Sequence, residues 1–237
     1  MADEGILLGE GERGVIVGKS GSGKTRGAIW QLSETSLSPV IIFDTKGEPA
    51  FNALPRQLPD GTREEMLKVD SFPEFRALSL DDLPEYVLVR PPVKDIADPE
   101  KLDEYLQVIY SRFHPALVYL DEGYQFHRRG QAGEGLIGLL TRGRSRGISL
   151  LVGSQRPAWV SQFVFSEATR FYIYRLIKED DRARVAEFIP GFDELPRVPN
   201  REFWYYHGDK DNEPELFGAV PLLKALPDPE KAAKRWL

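Results

Sequence analysis

The sequence predicts an α/β fold: a mostly parallel central sheet with helices on both faces, plus a small C-terminal β-hairpin extension. Three observations carry this. Apolar runs recur at RGVIVG, PVIIFD, ALVYLD and ISLLVGS, and they are continuous rather than alternating, as in strands buried on both faces. Segments with helical spacing of apolar residues lie between them. Strand–helix alternation of this kind implies right-handed crossovers, and so parallel neighbours.

Taken in order, Arg13–Gly18 is a strand closed by glycine, and Lys24–Leu32 a helix. Pro39–Asp44 is the second strand. A proline-rich, less regular stretch from Thr45 to Pro84 is expected to hold short helices, one around Phe72–Leu78. Tyr86–Arg90 (YVLVR) is a strand stopped by Pro91 and Pro92, which cannot extend a ladder. Pro99–Arg112 has Leu102, Leu106 and Ile109–Tyr110 at amphipathic-helix spacing. Ala116–Asp121 is the next strand, Gly135–Thr141 a helix, and Ile148–Ser154 and Arg170–Arg175 strands. Glu179–Phe188 reads as a charged helix, with Glu202–Tyr206 and Leu216–Val220 as a hairpin around GDKDNEPE. The expected organisation is a core over residues 1–175, with a helix, hairpin and tail over 176–237 packed on the same domain.

With 237 residues, 41% of them apolar, the chain can bury a real core. No apolar run approaches the roughly 18 residues of a membrane span, so no integral membrane segment is expected. The acidic start MADEGILLGEGE lacks the pattern of a signal peptide, so the chain is read as not secreted. Zero cysteines exclude disulfides, thiolate metal sites and cysteine nucleophiles. His114, His127 and His207 lack ligand-like spacing. A formal charge of −6 argues against an all-over nucleic-acid coat. The charge is segregated, however: from Arg128 to Arg146 five arginines stand against one acid, Glu134.

The strongest local signal is GKSGSGKT, Gly18 to Thr25, lying between a strand and a helix. In such a P-loop (Walker A) the residues Gly18, Lys19, Ser20, Gly21, Ser22, Gly23, Lys24 and Thr25 wrap a nucleotide's phosphates with inward-turned backbone N–H groups. Lys24 would reach the β- and γ-phosphates of ATP, and the Thr25 hydroxyl would bind Mg²⁺. The helix start adds its positive dipole end. The bland reading is a glycine turn made for packing alone.

LVYLDEGYQF, Leu117 to Phe126, sets two carboxylates at the tip of a buried strand, as a Walker B motif does. Asp121 would hold the Mg²⁺ shell, and Glu122 would orient or deprotonate an attacking water; helix capping is the alternative. The strand ISLLVG is expected beside this one, which brings Gln155 near the γ-phosphate. Arg142, Arg144 and Arg146 lie at the opposite end of that strand, too far for their own nucleotide. An arginine there could serve a neighbouring subunit as a finger in trans, or belong to a surface salt-bridge cluster. Gly143 and Gly147 argue against regular helix, and an extended segment would point all three arginines one way. FHRRGQAGEG, Phe126 to Gly135, has the glycines and paired Arg128–Arg129 suited to sequence-independent phosphate contact, or to a solvated loop. Trp204, Tyr205 and Tyr206 at strand spacing read as core or interface rather than a base-stacking platform.

The set GKSGSGKT, FDTKGE, LVYLDE and GRSRGISLLVGSQRP resembles the FtsK–HerA superfamily of ring-forming, RecA-like DNA-pumping ATPases, in an order and spacing that run from Gly18 to Pro157 and cover most of the chain. The resemblance implies a RecA-like ATPase core and gives Lys24, Thr25, Asp121 and Glu122 the roles above. It makes Gln155 a sensor and Arg144 the match to the finger position, with Arg142 and Arg146 close by; Arg146 is kept as a catalytic candidate. It puts Asp44 and Lys46 near the site, in a functional or a turn-forming role. With neither membrane segments nor an N-terminal barrel, the chain is most similar to the genome-packaging ATPases of membrane-containing icosahedral viruses. The implied function is an ATP-hydrolysing double-stranded DNA translocase packaging a viral genome into a preformed capsid. Its implied partners are ATP, Mg²⁺, double-stranded DNA, capsid vertex proteins and identical subunits in a ring, expected to be a hexamer. The implied location is the infected-cell cytoplasm or the virion packaging vertex. The rivals are a nucleotide-dependent assembly scaffold and an ATPase for single-stranded DNA transfer or phage assembly.

Overall fold

The computed structural model describes residues 4–54, 62, 64–128, 131–210 and 212–221. β1 (Arg13–Val17) leads through the glycine-rich loop into α1 (Lys24–Glu34), and β2 (Val40–Phe43) follows. Next come β3 (Met66–Val69), α2 (Phe72–Ala77), β4 (Tyr86–Val89), α3 (Val93–Ile96) and α4 (Pro99–Arg112). β5 (Ala116–Leu120) then precedes a two-residue ladder, β6 (His127–Arg128) with β7 (Gln131–Ala132). α5 (Glu134–Arg142) runs into a 3-10 turn over Gly143–Arg146 and on to β8 (Ile148–Ser154). α6 (Gln162–Ser166), β9 (Arg170–Tyr174), α7 (Glu179–Ala186), β10 (Phe203–His207) and β11 (Glu215–Phe217) complete the order.

One nine-stranded sheet has the order β11-β10-β9-β1-β8-β5-β2-β4-β3. From β9 to β3 every pairing is parallel, while β10 and β11 add antiparallel at the other edge. β8 is therefore inserted between the P-loop strand β1 and the acidic strand β5. Its register pairs Ser154 with Val17 and Val152 with Leu120, so all three strands end together on one side of the sheet. That edge is where open α/β sheets bind ligands. The C-terminal hairpin continues the same sheet through β9–β10, pairing Phe203 with Tyr174.

Alternation along each strand fills two cores. Val15, Val17, Ile41 and Phe43 face a layer containing α4 residues Leu102, Tyr105 and Leu106. Ile16, Val40 and Ile42 face α1 through Ala28, Ile29 and Leu32. Phe43 is fully buried, with Phe75, Tyr105 and Phe126 edge-on to its ring at 6.0, 5.8 and 5.5 Å. Such edge-to-face packing adds to simple area burial.

Two features differ from the sequence expectation. β3 lies within the stretch read as proline-rich and irregular, as an edge strand paired only with β4. The arginine segment is not extended: Gly143 continues the helical direction, Ser145 Oγ donates to the Arg142 carbonyl at 2.9 Å, and Gly147 closes the turn at φ +67°. Near three residues per turn, positions 142, 144 and 146 do not share a face. The helix leading there is fixed by buried Asp103 of α4, which accepts from Gly135 N and Leu136 N at 2.9 Å each.

Candidate active site

A cavity of about 390 Å³ opens at the C-terminal ends of β1 and β8. Lys19, Ser20, Gly21, Gly23, Lys24 and Thr25 supply one wall, and Arg26, Glu48, Gln155 and Arg201 the rest. Gly18 and Ser22 lie under the loop instead: Ser22 is fully buried and gives its carbonyl to the Arg201 N–H. Gly21 and Gly23 hold φ of +73° and +104°, a region that side chains resist. Tyr174 of β9 fills the space that three glycines leave. A Cβ on Gly18 would come within 2.5 Å of Tyr174 Cβ, and one on Gly27 within 1.9 Å of its hydroxyl. One on Gly23 would touch the ring edge at 3.4 Å. Burial raises the Tyr174 phenol pKa, so it stays neutral under the loop.

Lys24 is 4% exposed, and its Nζ lies 3.3 Å from Asp121 Oδ1. The same oxygen accepts from the Tyr119 hydroxyl at 3.1 Å. Burial first, and the Asp121 charge next, push the Tyr119 phenol well above its ordinary range, which keeps it a donor. Asp121 Oδ2 has Lys46 Nζ 4.0 Å away.

Glu122 sits past the end of β5, 1% exposed, in the left-handed region at φ 64°. Such strain in a non-glycine residue is characteristic of functional sites. Its carboxylate takes the Lys46 ammonium in an ion pair and the Gln155 N–H at 3.2 Å. The FDTKGE segment thus wraps the acidic strand: Thr45 Oγ1 donates to the Asp121 carbonyl at 3.1 Å, and Lys46 meets Glu122. Asp44 organises the turn, accepting from Arg90 Nε at 2.8 Å and Glu48 N at 2.9 Å.

The Arg156 that follows Gln155 is committed elsewhere. Its Nε is 3.0 Å from buried Asp181 of α7, its Nη2 is 2.9 Å from Asp180, and its guanidinium lies 4.5 Å from the Trp159 ring centroid.

At the far end of β8 Arg144 stands apart from Arg142 and Arg146, which share one ring. Arg146 stacks 4.3 Å from the Tyr110 ring centroid and donates to the Tyr110 carbonyl at 2.9 Å. Arg142 lies 5.3 Å from the same ring. Arg144 is exposed beside Gly11; its carbonyl accepts from Gly147 N at 3.1 Å, while its side chain makes no hydrogen bond or ion pair among the described residues. Seven residues at about 3.3 Å each set this segment roughly 20 Å from its own cavity. Arg128 falls in β6, and Arg129 lies outside the described residues, as does the C-terminal tail from residue 222. Trp204 gives its indole N–H to the Pro196 carbonyl at 3.1 Å, and Tyr205 is buried.

Sequence reasoning missed Arg201, Tyr174 and the Arg156–Asp181 anchor, and it left the role of Lys46 open. Each depends on contacts between segments far apart in the chain; none has a local signature.

A strand inserted between the P-loop strand and a strand ending in two carboxylates, with a cavity at the glycine-rich loop, defines a P-loop NTPase of the RecA-like type. No protein-family model matches the chain. Over 183 residues it is 30% identical to the DNA packaging ATPase P9 of Enterobacteria phage PRD1, which covers 76% of this chain and 70% of that protein. The chain belongs to the family of DNA packaging ATPases to which P9 belongs. In fold it is similar to the genome packaging NTPase B204 of Sulfolobus turreted icosahedral virus 2, solved in complex with AMPPCP. The TM-score is 0.66 at 15% identity, over 89% of this chain and 99% of that one. It is also similar to the pCW3 conjugation coupling protein TcpA in a monomer form with ATPgS, with a TM-score of 0.52 at 16% identity, over 100% of this chain and 72% of that one.

Proposed function

We propose that this chain hydrolyses ATP to drive double-stranded DNA into a preformed capsid, acting as a homo-oligomeric ring, expected to be a hexamer. Its place of work is a capsid vertex, in the infected-cell cytoplasm or on the virion. One observation carries the reading: Lys24, Asp121, Glu122 and Gln155 converge where β1, β5 and β8 end, while Arg144 stands uncommitted at the other end of β8. Family membership supplies the substrate, since P9 is a DNA packaging ATPase. Among the described residues no helix is long and apolar enough to cross a membrane.

In this reading Lys24 exchanges its Asp121 partner for the β- and γ-phosphates. Thr25 and Asp121 fit Mg²⁺, an ion usually held by one or two carboxylates together with the substrate's phosphates. Bound there, Mg²⁺ neutralises phosphate charge. Glu122, held between Lys46 and the Gln155 N–H, accepts the proton of the attacking water, and the Gln155 amide reports the γ-phosphate. Arg144 of one subunit reaches the nucleotide of the next; Arg142 and Arg146 are the lesser candidates, because both are drawn to Tyr110. Arg128 and Arg129 would contact DNA phosphates in the pore.

The test is ATP hydrolysis by purified protein at a stated near-physiological salt, with and without long DNA, since phosphate contacts weaken steeply with salt. Several-fold stimulation by double-stranded but not single-stranded DNA is expected. ATP binding with no stimulation by either would favour an assembly scaffold, and stimulation by single strands alone a single-stranded DNA transfer ATPase.

A further inference from the structure

We infer that Arg201, carried by the C-terminal segment ahead of β10, is a ligand in cis for the terminal phosphates of the bound nucleotide. The inference rests on reading the cavity as the nucleotide site, and four observations support it.

Arg201 lines the cavity together with Lys19, Lys24 and Arg26. The lining holds one carboxylate, Glu48, which already accepts from Ala50 N at 3.2 Å. Four cations against one engaged acid make a site for a polyanion, and a guanidinium offers the fork that phosphate oxygens match.

The backbone at this position is strained. Arg201 holds φ 76°, and the other positive-φ non-glycine residue among those described is Glu122. A left-handed arginine costs free energy that glycine would not, and such outliers gather at functional sites.

The strained residue is fastened to the P-loop itself. Its N–H donates to the Ser22 carbonyl at 2.7 Å. A Cβ on Gly23 would lie 2.9 Å from Arg201 Cα, so residue 201 rests directly on the turn that precedes Lys24.

The guanidinium is uncommitted. Arg90, Arg156, Arg170 and Arg182 are each tied to carboxylates or carbonyls, whereas the Arg201 side chain is exposed and forms no hydrogen bond or ion pair among the described residues. A residue needed only to cover the loop would be better served by glycine; arginine adds a reach of positive charge into the cavity.

The experiment compares Arg201→Gly, Arg201→Lys and Lys24→Ala with the unaltered chain, titrating fluorescent mant-ATP, mant-ADP and mant-AMP and recording thermal midpoints. Arg201→Gly suits the left-handed backbone, so its midpoint is expected to hold or rise. Its Kd for mant-ATP is expected to weaken by roughly tenfold or more, as for loss of a charge-assisted hydrogen bond. The Kd for mant-AMP should move much less, and Arg201→Lys should fall between. Unchanged mant-ATP binding by Arg201→Gly overturns the inference. So does an equal loss for ATP and AMP, which would put the guanidinium on the part they share, the nucleoside or the α-phosphate. If Lys24→Ala binds mant-ATP as tightly as the unaltered chain, the reading of the cavity fails instead.

Discussion

Replacing Glu122 by glutamine changes one atom at the point where the site is most constrained. Two donors converge on this carboxylate, the Lys46 ammonium on one oxygen and the Gln155 N–H on the other. An amide offers a single acceptor oxygen, so one donor must face an NH₂ group. Leaving a buried group so mismatched costs about 1–3 kcal/mol, which a whole domain tolerates but which should lower the thermal midpoint measurably. The chemical cost is larger. Losing a positioned general base slows a reaction by roughly 10²–10⁴-fold, or about 3–5 kcal/mol of barrier at 1.36 kcal/mol per tenfold. Lys24, Thr25 and the loop glycines are untouched, so mant-ATP binding should stay within about threefold, a shift of only some 0.7 kcal/mol. The assay is phosphate release at saturating Mg-ATP, run beside a binding titration. Hydrolysis within threefold of the unaltered chain would refute the assignment of Glu122 as base.

Three further outcomes are expected. Arg144→Ala should bind ATP yet hydrolyse it poorly, and mixing it with Glu122→Gln subunits should restore some activity; a mixture that assembles but stays inactive removes Arg144 as a finger acting in trans. Phe43→Ala empties the centre of an aromatic cluster and should cost about 3–5 kcal/mol in denaturant unfolding; a loss under about 1 kcal/mol would contradict the packing described. His127 is buried, which lowers its pKa, and its Nε2 accepts from Ser161 N at 3.0 Å. The unfolded chain therefore takes the proton first, and stabilisation present above pH 6.5 is lost as pH falls through that value toward the lowered folded one. His127→Gln should flatten part of the fall in thermal midpoint between neutral and mildly acidic pH. His207, shifted the same way, keeps the rest.

What the sequence made legible was whatever is local or doubly buried. β1, β5 and β8 are mostly apolar and buried along their whole length because both faces are covered, and the P-loop and the two carboxylates carry their chemistry within a few residues. β3 escaped notice because an edge strand needs no such run: Met66 and Leu67 are only partly buried, Lys68 is exposed and Val69 is buried. The arginine segment was open to two conformations, and its 3-10 turn follows from helix α5 running on through Gly143. Lys46 and Glu122 are 76 residues apart in the chain, and their pairing exists only because β2 lies beside β5. Arg201 reaches the loop at Ser22 from the opposite end of the sequence, so nothing near it announces a role. Two long-range pairings thus decide how the catalytic edge is finished.

The tyrosine beneath the P-loop places a condition on how this chain can vary. Gly18, Gly23, Gly27 and Tyr174 pack together: the Tyr174 Cβ stands against Gly18, its ring edge meets Gly23 beside Arg201, and its hydroxyl and ring take the space at Gly27. Gly18 and Gly23 belong to the glycine-rich loop, but Gly27 lies a turn inside α1 and answers to the tyrosine's hydroxyl and ring, its missing Cβ leaving room for both. In lineages descended from this sequence, any residue larger than glycine at position 27 should be found only in company with a smaller one at 174. The freedom of the helix that carries Thr25 to mutate is therefore set from a strand almost 150 positions downstream.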